Sequence, residues 1–215
     1  SAEDARRVVG HFGAQFVAAL LPTKSVVAIA GGRTIRELVQ ALPEDKERRL
    51  TVVQAMGSID STVGGEDALE LGRFLARRSG GRFLSLNTPA FVPDRKIRDA
   101  LLALPQIQSV RQRLAHANVA IVGVGTITNS VFAARNVLGS RDMEELNSCG
   151  AVGEICGRFY DQNGRECHSR WRDRVLSIDL EQIRQIPQVI GVVAGGDRSD
   201  AIAADAVALP VALAA

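Results

Sequence analysis

The stretch "SVVAIAGGRTIREL" (25–38) joins a β-branched apolar run to a helix-like segment through Gly31 and Gly32. A run of five apolar residues ended by glycine predicts a buried strand, and "TIRELVQAL" (34–42) predicts a helix that stops before Pro43. A turn this tight has two uses. Glycine allows close packing, and the first turn of the next helix presents unpaired N–H groups that suit an anion. The stretch alone leaves both open.

The same pattern recurs along the chain. "LTVVQAMGS" (50–58), "RFLSL" (82–86), "NVAIVGVG" (118–125) and "QVIGVVAGG" (188–196) predict further strands. Helices are predicted over 3–21, over "GEDALELGRFLARRSGG" (65–81), over "PQIQSVRQRLAHA" (105–117) and over "RSDAIAADAVA" (198–208). Strands alternating with helices predict an α/β fold: a Rossmann-like, mostly parallel sheet with helices on both faces. "GAVGEICGRFYDQNGREC" (150–167) breaks the rhythm and predicts an inserted β-meander turning at 161–164. "RVLSIDLEQIRQIP" (174–187) predicts a strand and a short helix with Asp179 as its N-cap. No linker or low-complexity tract divides the 215 residues, so one domain over 1–215 is expected.

Composition narrows the function classes. The net charge of +2 is too small to argue for nucleic-acid binding by this stretch. Lys24, Lys46 and Lys96 are the only lysines among 26 basic residues, which leaves few candidates for Schiff-base chemistry. Arginine suits phosphate recognition, although a GC-rich coding bias gives the same count. No apolar run approaches the roughly 18 residues of a membrane helix. Three cysteines at irregular spacing make no disulfide framework. A cytoplasmic location is expected, with no membrane partner.

Cys149, Cys156, Cys167 and His168 are potential zinc ligands, but they contain no C-x-x-C pair, and no metal is expected. His11 and His116 read as helix-surface residues. Trp171 reads as a packed loop residue or a subunit anchor, and Asp60 as a turn cap or a ligand contact.

Three strands end in "AIAGGRT", "IVGVGT" and "VVAGGDR". In open α/β sheets ligands bind beyond the carboxyl ends of strands. The pattern is neither G-x-G-x-x-G nor G-x-x-x-x-G-K-[ST], so a small phosphorylated ligand fits better than a nucleotide, and no cofactor is expected.

Together, "VAIAGGRTIRELV", "TVVQAMGS", "NVAIVGVGTI", "GAVGEICGRFYDQNGREC" and "IRQIPQVIGVVAGG" resemble the effector-binding domain of the SorC family of sugar-responsive bacterial transcription regulators. They cover nearly the whole chain in the family's order, and the "GAVGEICGRFYDQNG" block is the specific one. The resemblance implies a fold related to sugar-phosphate isomerases and glucosamine-phosphate deaminases. It also implies a sugar-phosphate effector, a homodimer or homotetramer, and DNA contact only through an N-terminal helix-turn-helix domain outside these residues.

Carried over by position, Gly31, Gly32, Arg33 and Thr34 would cradle the phosphate, with Arg198 adding charge. Gln54, Gly57, Gly123, Gly125, Thr126 and Glu154 would line the sugar. Glu154 stands where the family more often has aspartate. Arg198 stands where it commonly has lysine and keeps the charge without Schiff-base chemistry. The tail "AVALPVALAA" departs from the family's polar ending. The expected role is sensing rather than catalysis. The alternatives are an isomerase or deaminase of the same fold, and a nucleotide-binding or oligomerising domain.

Overall fold

The computed structural model describes residues 2–195, 199–208 and 211–214. Its centre follows from the apolar runs. Val27, Ala28 and Ile29 of β1 (Val26–Ile29) and Val52 and Val53 of β2 (Thr51–Gln54) are fully buried. β4 (Val119–Gly123) and β7 (Gln188–Val192) are buried in the same way. Strands apolar on both faces need cover on both sides, which a parallel sheet with crossover helices supplies. With β3 (Arg82–Leu84) and β8 (Val211–Ala214) at the edges, six strands run in the order β3-β2-β1-β4-β7-β8, every neighbouring pair parallel.

The helices are α1 (Ala2–Ala19), α2 (Arg33–Ala41), α3 (Ala68–Arg78), α4 (Arg95–Leu102), α5 (Pro105–Leu114), α6 (Val131–Ala134), α7 (Ser140–Ser148), α8 (Leu180–Arg184) and α9 (Ser199–Ala208). Right-handed crossovers put α2 and α3 on one face and α5 on the other. α2 buries Ile35, Leu38 and Val39, and α1 packs on it. The strand order reverses between β1 and β4. Such a reversal opens a crevice at the carboxyl ends of the two strands, because their following loops diverge to opposite faces. Among the described residues no helix is long and apolar enough to cross a membrane.

The 150–167 segment differs from a meander. β5 (Ala151–Ile155) and β6 (Arg158–Asp161) form a two-stranded antiparallel hairpin, and the third segment contributes only the bridge between Tyr160 and Glu166. The chain leaves the sheet there to bury Trp171. The turn at 161–164 is present: the Asp161 carboxylate accepts from Asn163 N and Arg165 N, both at 2.9 Å. The hairpin's tight turn is instead Cys156-Gly157, at φ 53° and 77°. Both positive values suit the twist of an antiparallel pair.

The expected strand at "RVLSI" reduces to isolated bridges, Phe91 with Val175 and Met56 with Ser177. α4 and α7 lie outside the expected helices, although Asp94 caps α4 by accepting from Ile97 N at 2.9 Å. α4 has no buried residue, and α7 buries only Asp142 and Leu146. The apolar tail extends the sheet as β8 beside β7.

Trp171 resolves to packing. It is 1% exposed, stacks on Phe91 at 5.7 Å, meets Phe132 edge-on at 5.0 Å, and donates from Nε1 to Gly157 O at 2.7 Å. Trp171→Ala is expected to cost about 3–5 kcal/mol. Trp171→Phe should cost less, chiefly the hydrogen bond at about 1 kcal/mol. Urea denaturation followed by circular dichroism gives both values. Equal losses for the two variants would show that packing contributes little there.

Candidate functional site

The crevice at the β1–β4 reversal is a cavity of about 330 Å³. Its floor is the carboxyl ends of three strands, contributing Ala30, Gly123 and Val192. Helix α2 starts at its wall. Gly32 is the N-cap and has no side chain to accept from the first turn. The first intrahelical bond of this end is Arg36 N to Gly32 O at 2.9 Å, so the N–H groups of Arg33, Thr34 and Ile35 precede the ladder. The Gly32 N–H itself is taken, donating to Glu66 O at 2.8 Å. Helix α3 starts nearby but is closed by its own cap, the Asp67 carboxylate accepting from Leu69 N at 2.8 Å. Of the two helix ends, only that of α2 lacks a side-chain acceptor. An anion is favoured there by N–H groups and helix dipole together.

The structure brings together Gly31, Gly32, Arg33, Thr34, Gly57, Gly123, Gly125 and Glu154 around one cavity. Gly125 and Glu154 exchange two backbone hydrogen bonds of 2.9 Å, which fastens the β5–β6 hairpin to the end of β4. Glu154 is 8% exposed, and its Oε1 accepts from Gly157 N in the hairpin turn.

Two expected sugar contacts are placed elsewhere. Gln54 is fully buried, and its Oε1 accepts from Leu86 N at 3.0 Å. It ties the end of β2 to the strand beside it and does not face the cavity. Thr126 lies outside the lining too; its Oγ1 accepts from Asn129 N at 3.2 Å and shapes the loop after β4. Arg198 lies outside the described residues.

Sequence reasoning missed Arg6, Glu66, Asn129 and Arg135, all on the lining. Arg6 arrives from α1, far upstream of the glycine turns, so no local motif could announce it. Arg135 pairs with Asp60 at 2.7 Å and with Glu66 at 3.2 Å, joining the loop before α3 to the end of α6. Asp60, read as a cap or a ligand contact, is the partner of Arg135 on the cavity rim.

Cys156 also faces the cavity. Burial pushes its thiol well above the usual range, and the Glu154 charge adds to the effect. A thiol held neutral is a poor nucleophile. The other two cysteines pack together, Cys167 Sγ lying 3.9 Å from Cys149 O. Among the described residues no group of three or more His, Cys, Asp or Glu is arranged to hold a metal ion.

Comparison with known proteins places this geometry. Residues 1–207 match the family model Sugar-bind, "Putative sugar-binding domain". An uncharacterized transcriptional regulator, YjhU, from Escherichia coli is 32% identical over 194 residues, 90% of this chain and 58% of that protein. The sorbitol operon regulator of Klebsiella pneumoniae is 26% identical over 205 residues, 93% of this chain and 64% of that protein. The chain thus spans less than two thirds of the length of these relatives. Among solved structures, a DeoR family transcriptional regulator from Listeria monocytogenes superposes with a TM-score of 0.90 at 24% identity, covering 100% of this chain and 85% of that one. The full-length sorbitol operon regulator SorC from Klebsiella pneumoniae gives 0.90 at 23%, covering 99% and 69%. At these identities the structures establish a shared fold.

Two outcomes follow from the buried groups. Gln54→Leu leaves the Leu86 N–H without its acceptor and should lower stability by about 1–3 kcal/mol in chemical denaturation; no loss would mean that another acceptor replaces it. Iodoacetamide at neutral pH should leave Cys156 unlabelled in the folded protein and label it after denaturation, read by peptide mass spectrometry. Rapid native labelling would contradict the buried, neutral thiol.

Proposed function

This chain belongs to the Sugar-bind family, the sugar-binding domains of SorC-type transcriptional regulators, and on that premise we propose that its ligand is a small phosphorylated sugar held between β1 and β4. The observation that carries the reading is the α2 terminus. It opens into the cavity with a glycine cap, beside Arg6 and Arg33. Among the described residues neither arginine has a carboxylate within 4.0 Å. A phosphate there would accept from the Arg33, Thr34 and Ile35 N–H groups and the Thr34 hydroxyl, with arginine charge alongside. Arg198, as the sequence reading has it, would add a further cation.

The sugar would extend over Gly123 and Gly125 toward Glu154. Neutral hydroxyls exchanging water for a carboxylate acceptor gain orientation more than raw affinity. The relatives are named as regulators, which supports sensing over catalysis. In that role the effector favours one conformational or oligomeric state of a homodimer or homotetramer. DNA affinity changes through a reader domain outside these residues. The coupling cannot exceed the effector's differential affinity for the two states.

Thermal unfolding against phosphorylated sugars and their unphosphorylated counterparts tests the reading. At about 100 times Kd a ligand adds about 2.7 kcal/mol, or roughly 5–10 °C for a domain this size. The expected result is a shift with a sugar phosphate, absent with the free sugar and lost in Thr34→Val. A well-folded protein that responds to no phosphorylated sugar would leave the glycine turns as packing devices.

A further inference from the structure

We infer that Arg6 makes helix α1 a responding part of the ligand site: a phosphate at the α2 terminus fastens the first two turns of α1 onto the cavity, so that occupancy is read out as the docking of α1. The inference rests on the phosphate reading of that terminus and adds the element that answers to it. Arg6 lines the cavity together with Gly32, Arg33 and Thr34, yet it arrives from α1. It is half-buried, and among the described residues it has no hydrogen-bond or ion-pair partner.

The packing of α1 explains why one contact matters. α1 crosses α2 at Gly10, where a Cβ would lie 2.6 Å from the Glu37 carbonyl carbon. At and beyond that crossing α1 buries Val9, Ala14, Val17 and Ala18. Toward the N-terminus this anchoring fades: Glu3, Asp4, Arg7 and Val8 are exposed, and Ala5 and Arg6 are half-buried. Arg6 precedes Gly10 by four residues, as Arg33 precedes Glu37, so each sits about 6 Å along its helix from the crossing. Both line the cavity. The first two turns of α1 thus lie beside the cavity with little apolar burial to hold them, and segments of that kind open locally at low cost. A phosphate that accepts from Arg6 as well as from the α2 N–H groups adds a charge-assisted hydrogen bond made only in the docked arrangement. A ligand that binds the docked state better shifts the population toward it. The effect depends on which element supplies the contact, and it holds whatever other cations the site contains. The outer face of α1 exposes Val8, Phe12 and Phe16 one turn apart, so the same event fixes that stripe in place.

Hydrogen–deuterium exchange read by peptide mass spectrometry tests this, with inorganic phosphate, glucose 6-phosphate, fructose 6-phosphate and ribose 5-phosphate as probes. Titration calorimetry sets each protein to the same saturation. A probe that binds is expected to slow exchange over residues 6–9, in the first hydrogen-bonded turns of α1, by about tenfold, the scale of one charge-assisted hydrogen bond. It should also slow exchange at the start of α2. Arg6→Gln, which keeps a good helix former, should weaken binding at least about tenfold. At matched saturation that variant should retain the α2 protection and lose that of α1. Without ligand its exchange over 6–9 should equal that of the unaltered protein, since Arg6 has no partner to lose. Faster exchange there would make Arg6 a structural residue and overturn the inference. Binding that protects α2 but leaves 6–9 unchanged, or protection of 6–9 that survives Arg6→Gln, overturns it as well and leaves the phosphate reading intact. If none of the four probes binds, the phosphate reading fails and the inference falls with it.

Discussion

The site depends on how closely the turn after β1 approaches the start of α3. A Cβ on Gly31 would lie 2.8 Å from Glu66 O, closer than side chains come to a backbone oxygen, and 3.0 Å from Ala68 N, so the backbone of the α3 start would have to shift. Gly32 follows at φ 139°, a conformation that L-residues with side chains rarely adopt, and donates its N–H to Glu66 O. These constraints exclude Ser, Thr, Asp and Asn from the N-cap of α2, the residues that would otherwise satisfy its first N–H groups. Packing and ligand readiness therefore share one cause. The glycines let two helix starts converge, and the same glycines leave one of them without a side-chain acceptor. The neighbouring Asp67 cap shows the alternative, in which the protein supplies its own carboxylate.

The opposite wall is held by residues far from the cavity. Glu154 is placed by its backbone pairing with Gly125 and by the Cys156-Gly157 turn, and Gly157 in turn receives the Trp171 indole N–H. Behind the hairpin, the Arg158 side chain is only 6% exposed, pairing with Glu166 at 3.0 Å and Asp179 at 2.8 Å and donating to Ser177 Oγ at 3.1 Å. Asp179 also takes Arg111 from α5 at 3.2 Å. Buried charge of this kind contributes little net stability, but removing one partner leaves the other without compensation. The network therefore acts as a set of coordinates for the hairpin. It couples Glu154 to helices on the other side of the sheet, the kind of connected, discrete packing through which a binding domain could transmit occupancy.

The parallel sheet was legible because its strands are apolar on both faces and end in glycine, a signal that survives in a single sequence. β1, β2, β4 and β7 lie within the expected runs. The meander was a misreading of length: eighteen residues that look strand-like hold two strands, since the third must turn away to bury Trp171. The polar helices α4 and α7 went unread: each is short and buries little of its surface, so its few apolar residues stand among charged ones. Within the site, Gln54 illustrates the limit. A glutamine at a strand exit is as consistent with a ligand contact as with a structural tie, and only the position of Leu86 N, thirty-two residues away, decides for the tie.

By itself, the sequence determined the strand–turn–helix units, the glycine exits, the scarcity of lysine and the block that marks the family. These are local properties, set by hydrophobic period and by backbone freedom at single residues. The tertiary structure alone decided which exits meet. It placed β1 beside β4, brought Arg6 over from α1, and joined Arg135 to Asp60 and Glu66 across the rim. Those relations arise because long-range packing sets distances between segments that share no local pattern, and charge balance in a cavity depends on those distances rather than on composition.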